Sequence, residues 1–185
     1  MSSKLLIIGD IHDRSKEPYF SSKRAFFSWL QKHPLNSKDN YVIFEGDVGN
    51  EPKLPGNVIG ALISDFKKLK FKTIYIVAGN HDWRKREGNL LDALRSINNV
   101  IIVDFPIEVM LESKYEIMML PHYIRKAGMD LPTMKELYLD ITKKGFKDSY
   151  DLIVGHVADE TQTIFGSGMD LSYLKGRKIF GHIHH

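Results

Sequence analysis

Apolar residues in the first eighty positions fall into short runs that stop at a glycine or one residue before it, separated by stretches with helical spacing. Leu5, Leu6, Ile7 and Ile8 form one such run, which predicts a buried strand over residues 4–9. Residues 41–44 and 73–78 repeat the pattern as a second and third strand. Between them, Phe20, Phe26, Phe27, Trp29 and Leu30 space a helix over 19–32 that Pro34 closes. A Pro/Gly-rich loop at 52–56 precedes a second helix over 57–70, with Val58, Leu62, Phe66 and Leu69 on its inner face. A short helix is predicted over 90–97, then strands at 100–103, 107–111 and 115–120, the last two forming a hairpin about Glu112–Lys114. The later chain adds a helical pattern at 134–142 and short strands at 151–154 and 177–180. This order, β/α units first and mainly strands afterwards, argues for an α/β sandwich on a mostly parallel sheet, with a second sheet from the later half. With 185 residues and no repeat, low-complexity stretch or linker, the chain reads as one domain over 1–185.

The chemistry lies just past the apolar runs. Gly9-Asp10-Ile11-His12, Gly46-Asp47-Val48, Gly79-Asn80-His81-Asp82, Gly155-His156 and Gly181-His182-Ile183-His184 each place a carboxylate, amide or imidazole at the exit of a predicted strand. Strands laid side by side would gather these groups at the C-terminal rim of a sheet, where they suit a pair of divalent cations. Imidazole nitrogen and carboxylate oxygen together accept metals of borderline softness, and a paired site needs one bridging group. Asp47 is the candidate bridge. Asp10 and His12, one residue apart, would join His184 at the first ion; Asn80, His156 and His182 would complete the second. His81 is the candidate acid for the leaving oxygen, with Asp82 beside it to orient the imidazole.

Composition narrows this chemistry without replacing it. Cysteine is absent, which excludes disulfides, thiolate ligands and a cysteine nucleophile. No stretch reaches the ~20 apolar residues of a membrane helix and no leader pattern is present, so a cytoplasmic location without a membrane partner is expected. A net charge of +3 suits a phosphate-bearing ligand but does not choose one. The run Trp83-Arg84-Lys85-Arg86 offers cations to a nucleic-acid backbone and an aromatic face to a base, so Arg84 and Arg86 are candidate substrate contacts.

The five islands, in this order from Asp10 to His184, resemble the motif series of the calcineurin-like metallophosphoesterase superfamily: Asp-x-His, Gly-Asp, Gly-Asn-His-Asp, Gly-His and Gly-His-x-His. The resemblance implies a four-layer α/β/β/α sandwich with two mixed sheets and a dimetal centre often supplied with Mn²⁺, with Fe, Zn, Co, Ni or Mg as alternatives. It also implies phosphoester hydrolysis. The leading reading is a phosphodiesterase or nuclease acting on DNA or RNA, similar to the exonuclease subunit of double-strand-break repair or to compact phage and bacterial relatives. A small-molecule phosphodiesterase or phosphatase is a second reading, and a scaffold that binds protein and has lost catalysis is a third. The resemblance leaves a partner ATPase or a homodimer open. Where relatives continue Gly-Asp with two residues and a substrate-positioning Asp or His, this chain has Asn50, a neutral hydrogen-bonding substitute. Relatives also run on past Gly-His-x-His with further strands, so the chain reads as a compact version or a fragment.

Other histidines and basic runs take plainer readings. His33 sits at a helix end on the surface, His122 falls in a turn, and His185 has no role. Lys67, Lys68, Lys70 and Lys72 suit the C-terminal end of a helix. Residues 165–169 read as a flexible loop, lacking the lysine and spacing of a P-loop.

Overall fold

The computed structural model describes residues 3–14, 16–50, 54–84, 88–122, 147, 149–157 and 174–181, with no side-chain description over 83–84 and 88–90. β1 (Leu5–Ile8), β2 (Tyr41–Phe44), β3 (Thr73–Val77) and β6 (Val100–Val103) form the first sheet in that order, parallel throughout. β7 (Ile107–Leu111), β8 (Tyr115–Leu120), β9 (Ser149–Gly155) and β10 (Lys175–Phe180) form the second, in the order β10-β9-β8-β7. This sheet is mixed: β7 and β8 make the expected antiparallel hairpin, whereas β8, β9 and β10 run parallel. A short hairpin of β4 (Trp83–Arg84) and β5 (Gly88–Asn89) stands apart from both sheets.

The unbroken apolar runs of the first sheet arise because both of its faces are covered. Val42, Phe44, Ile74, Ile76 and Ile102 pack beneath α1 (Tyr19–Lys32) and α2 (Gly56–Lys67), against Phe27, Leu30, Val58, Leu62 and Phe66. Their alternates Tyr41, Ile43, Tyr75, Val77 and Val103 meet Ile117, Met119 and Val154 of the second sheet. Two sheets lie face to face with helices outside the first, as an α/β/β arrangement. The helical pattern expected at 134–142 lies outside the described residues. Among the described residues no helix is long and apolar enough to cross a membrane.

β9 and β10 each begin two residues before the expected 151–154 and 177–180, and the β4–β5 hairpin is not among the expected elements. Two further differences have a local reason. The apolar spacing predicts a helix over 90–97, but Leu90–Ser96 is 3₁₀. Leu91, Leu94 and Ile97, all buried, recur every three residues, which is the 3₁₀ period rather than 3.6. α2 stops at Lys67, before the expected Lys70. Tight turns Lys68 N–H to Asp65 O and Leu69 N–H to Phe66 O end it, and Lys70 N–H goes to the Asn36 side chain at 2.6 Å. That exit buries Leu69 and Phe71 in the core.

Because β1, β2 and β3 are parallel, and β9 runs parallel to β10, the glycine islands leave their strands at C-terminal ends. Open parallel sheets gather ligands at that edge.

Candidate metal centre

Asp47 is the hub. It is 2 % exposed, its Oδ1 accepts the His81 backbone N–H at 2.9 Å, and its Oδ2 lies 3.1 Å from His156 Nε2, 3.7 Å from His12 Nε2 and 4.0 Å from His81 Nε2. His12, Asp47 and His81 each present a ligand atom within 4.8 Å of the others. The rings of His12 and His81 meet edge to face with centroids 5.3 Å apart.

The loops that converge here are held in uncommon conformations. His12 and Asp47 both have positive φ, 50° and 44°, a region that costs an L-residue energy and persists only when its surroundings impose it. The imposing bonds are His12 N–H to Asp47 O at 2.7 Å and Asp13 N–H to Val48 O at 2.8 Å, which lace the β1 and β2 exits together. Gly46, at φ 121°, leaves no room for a side chain, since a methyl there would stand 2.1 Å from His156 Nδ1.

His156 is fully buried among carboxylates. Its Nδ1 donates to the Glu45 carbonyl at 3.0 Å and lies 3.4 Å from Asp10 Oδ1, while its Nε2 lies 3.0 Å from Asn80 Oδ1. Burial disfavours its charge, but Asp10 and Asp47 outweigh that and push its pKa up to about 10. Burial likewise raises Asp47, and His156 and His81 more than reverse it, holding that carboxyl below its ordinary value. Burial raises Glu45, and the neighbouring Asp10 charge raises it further. The Asp10 and Asp47 carboxylates thus flank one imidazole, with the Glu45 carboxylate near enough to feel both Asp10 and His156 and two more histidines beside Asp47. Oxygen and imidazole donors with surplus negative charge fit divalent cations, which would displace the His156 proton on binding.

The exit of β10 abuts the same group. A methyl at Gly181 would stand 2.6 Å from Asp10 Oδ1 and 3.1 Å from His156 Nδ1. His182 and His184, the next islands' ligands in the chain, lie outside the described residues, as does Arg86; the side chain of Arg84 is not described. Asn50 donates its backbone N–H to the Asp13 carbonyl at 3.1 Å, on the loop after Asp47.

Asp82, expected to orient the His81 ring, has other partners. Fully buried, it accepts Gly49 N–H on Oδ1 at 3.0 Å and Gly79 N–H on Oδ2 at 2.9 Å, pinning the loops after β2 and β3 to each other. Burial outweighs these bonds and pushes its pKa up to about 7.

Further residues join the site without a motif to mark them. Glu45 stands at the end of an apolar run directly before Gly46-Asp47, an odd place for an acid and the one local signal of its presence. Arg24 of α1 bonds both Asp65 of α2 and the fully buried Asp13, next to His12; nothing in the spacing of 13, 24 and 65 announces that triad. His122, expected in a turn, has its ring centroid 6.3 Å from that of His156, and its N–H donates to Ala78 O at 2.7 Å.

Among solved structures, the chain is similar to the phosphopantetheinyl hydrolase PptH from Mycobacterium tuberculosis, with TM-score 0.58 and 12 % identity over 99 % of this chain and 84 % of that one. It is also similar to a protein of unknown function from Aquifex aeolicus, with TM-score 0.46 and 18 % identity over 95 % of this chain and 88 % of that one. At such identities the PptH likeness speaks for the fold alone. No protein of curated function matches the sequence. The family described as calcineurin-like phosphoesterase matches residues 3–185, and the chain belongs to that family of metal-dependent phosphoester hydrolases.

Proposed function

We propose that the chain is a dimetal phosphodiesterase acting on nucleic acid. The observation that carries the metal reading is the gathering of two assigned ligands on Asp47 Oδ2, His156 Nε2 at 3.1 Å and His12 Nε2 at 3.7 Å, with Asn80 Oδ1 3.0 Å from the same His156 nitrogen. Asp47 would be shared by the two cations; Asp10 and His12 would hold one with His184, and Asn80 and His156 would hold the other with His182. Two divalent ions, Mn²⁺ first among the candidates, would supply an activated water and neutralise phosphate charge.

The chain's own residues do the rest. His81 is the proton donor to the leaving oxygen. Its side chain is 39 % exposed against 2 % for Asp47, so it stands on the open side of the cluster, where a substrate arrives. Asp47 fixes the His81 backbone N–H, and Asp82 fixes Gly79 two residues before it, so both acidic residues position the imidazole through its main chain.

A nucleic-acid substrate is favoured by where the basic run falls. Asn80–Asp82 forms a 3₁₀ turn, and the next two residues, Trp83–Arg84, begin a strand that pairs with Gly88–Asn89. Arg84 therefore belongs to a strand that springs directly from the His81 turn, and Lys85 and Arg86 follow it in the sequence, a basic run suited to a phosphate backbone passing the metals. The test is Mn²⁺-dependent turnover of single- and double-stranded DNA beside a generic phosphodiester. DNA cleavage that weakens steeply with salt and drops on Arg84→Ala is the expected result. Turnover of the small ester alone would reassign the substrate to small phosphoesters.

A further inference from the structure

Glu45 is built into the site by its main chain. Its N–H donates to Ile8 O at 2.9 Å, and its carbonyl accepts from His156 Nδ1 at 3.0 Å. The side chain turns to the exit of β1, where a methyl on Gly9 would stand 2.8 Å from Oε1. Oε2 is shut off from water and has no hydrogen-bond partner among the described residues. The charged groups acting on this carboxylate are Asp10, which repels it, and His156.

Such a placement is costly for a protein that needs only to fold. A buried acceptor without a donor costs about 1–3 kcal/mol, and more when charged. Glutamine would fill the same volume beside Gly9 without the charge, so packing does not explain the acid. What offsets an unneutralised carboxylate next to Asp10 is a cation.

We propose that Glu45 is an oxygen donor of the metal centre, on the Asp10 side. The inference rests on the dimetal reading above. With Glu45, the oxygen donors of Asp10 and Asp47 gain a third carboxylate, which favours Mn²⁺ or Mg²⁺ over the tetrahedral, nitrogen-rich preference of Zn²⁺.

The test is calorimetric titration of metal-free protein with Mn²⁺ and with Zn²⁺, for the natural chain and Glu45→Gln, together with urea unfolding of both metal-free forms. The natural chain is expected to bind two Mn²⁺. In Glu45→Gln, one of the two sites loses roughly tenfold or more in Mn²⁺ affinity and less in Zn²⁺ affinity. The metal-free variant is at least as stable as the natural chain. Two Mn²⁺ bound with unchanged affinity in Glu45→Gln would overturn the assignment of Glu45 and leave the dimetal reading standing. Parallel losses of affinity and metal-free stability would overturn it in favour of a packing role. A natural chain that binds fewer than two ions would overturn the dimetal reading itself, and the donor role with it.

Discussion

Arg24→Met removes the cation that joins three elements of the fold. Arg24 on α1 bonds Asp65 on α2 through Nη1 and Asp13, one residue after His12, through Nη2. Asp13 is 0 % exposed and Asp65 8 %, so water cannot take over when the guanidinium goes. Breaking a buried pair from one side costs about 3–5 kcal/mol, because it strands a charge rather than removing one. The Arg24 side chain is 22 % exposed, which places the cost toward the lower end, about 3 kcal/mol. For a chain of 185 residues that corresponds to a fall in Tm of roughly 8 °C.

The pH dependence has a definite sign. Burial already raises both carboxyls above their ordinary value against the pull of Arg24, and losing Arg24 raises them further. A carboxyl whose pKa is higher folded than unfolded costs stability above its folded pKa, and that cost is relieved as pH falls through it. The deficit of Arg24→Met is therefore largest at neutral pH and shrinks toward pH 5. Urea unfolding at pH 7.5 and 5.5, monitored by circular dichroism, reads both quantities. Adding Asp13→Asn to the variant should recover part of the loss at pH 7.5, and Arg24→Lys, which lacks the fork, should recover less than full stability. A deficit under about 1 kcal/mol, the scale of an exposed pair, or one that grows as pH falls, would refute the reasoning.

Three further outcomes are expected. His81→Ala lowers turnover by about 10²–10⁴-fold and leaves the number of bound metals unchanged; normal turnover would remove the proton-donor role. Asp47→Asn lowers occupancy at both metal positions, measured by elemental analysis after dialysis, and loss at one position alone would refute the bridge. Asp82→Asn turns an acceptor into a donor facing the Gly49 or Gly79 N–H and costs about 1–3 kcal/mol in urea unfolding. A variant as stable as the natural chain would show that the two loops do not depend on that carboxylate.

Much of both sheets was legible because short continuous apolar runs are a local signal, and the observed β2 and β6 of the first sheet and β7 and β8 of the second begin and end where the apolar pattern does. α1 was equally legible, since Pro34 and the His33 N–H to Leu30 O bond close it where the spacing stops. Residues 90–97 mislead because a three-residue apolar period over seven positions resembles a helical one until the turn is tightened. The residues near Asp47 were legible as chemistry: the islands named Asp10, His12, Asp47, Asn80, His81 and His156, and the parallel strands bring these together. What could not be read was direction. Nothing in Asn80-His81-Asp82 says that a 3₁₀ turn sends the Asp82 carboxylate to Gly49 and Gly79 instead of to the imidazole. Nor does any period connect Arg24 with Asp13 and Asp65, which meet only after α1 and α2 have packed on the sheet.

The central claim is that Asp47 holds two cations between the loops that end these strands. A crystal of the chain grown with Mn²⁺ and measured for anomalous scattering tests it most directly. Two anomalous peaks about 3.5–4 Å apart on either side of the Asp47 carboxylate are expected. A single peak, or ions bound away from Asp47, would contradict the account.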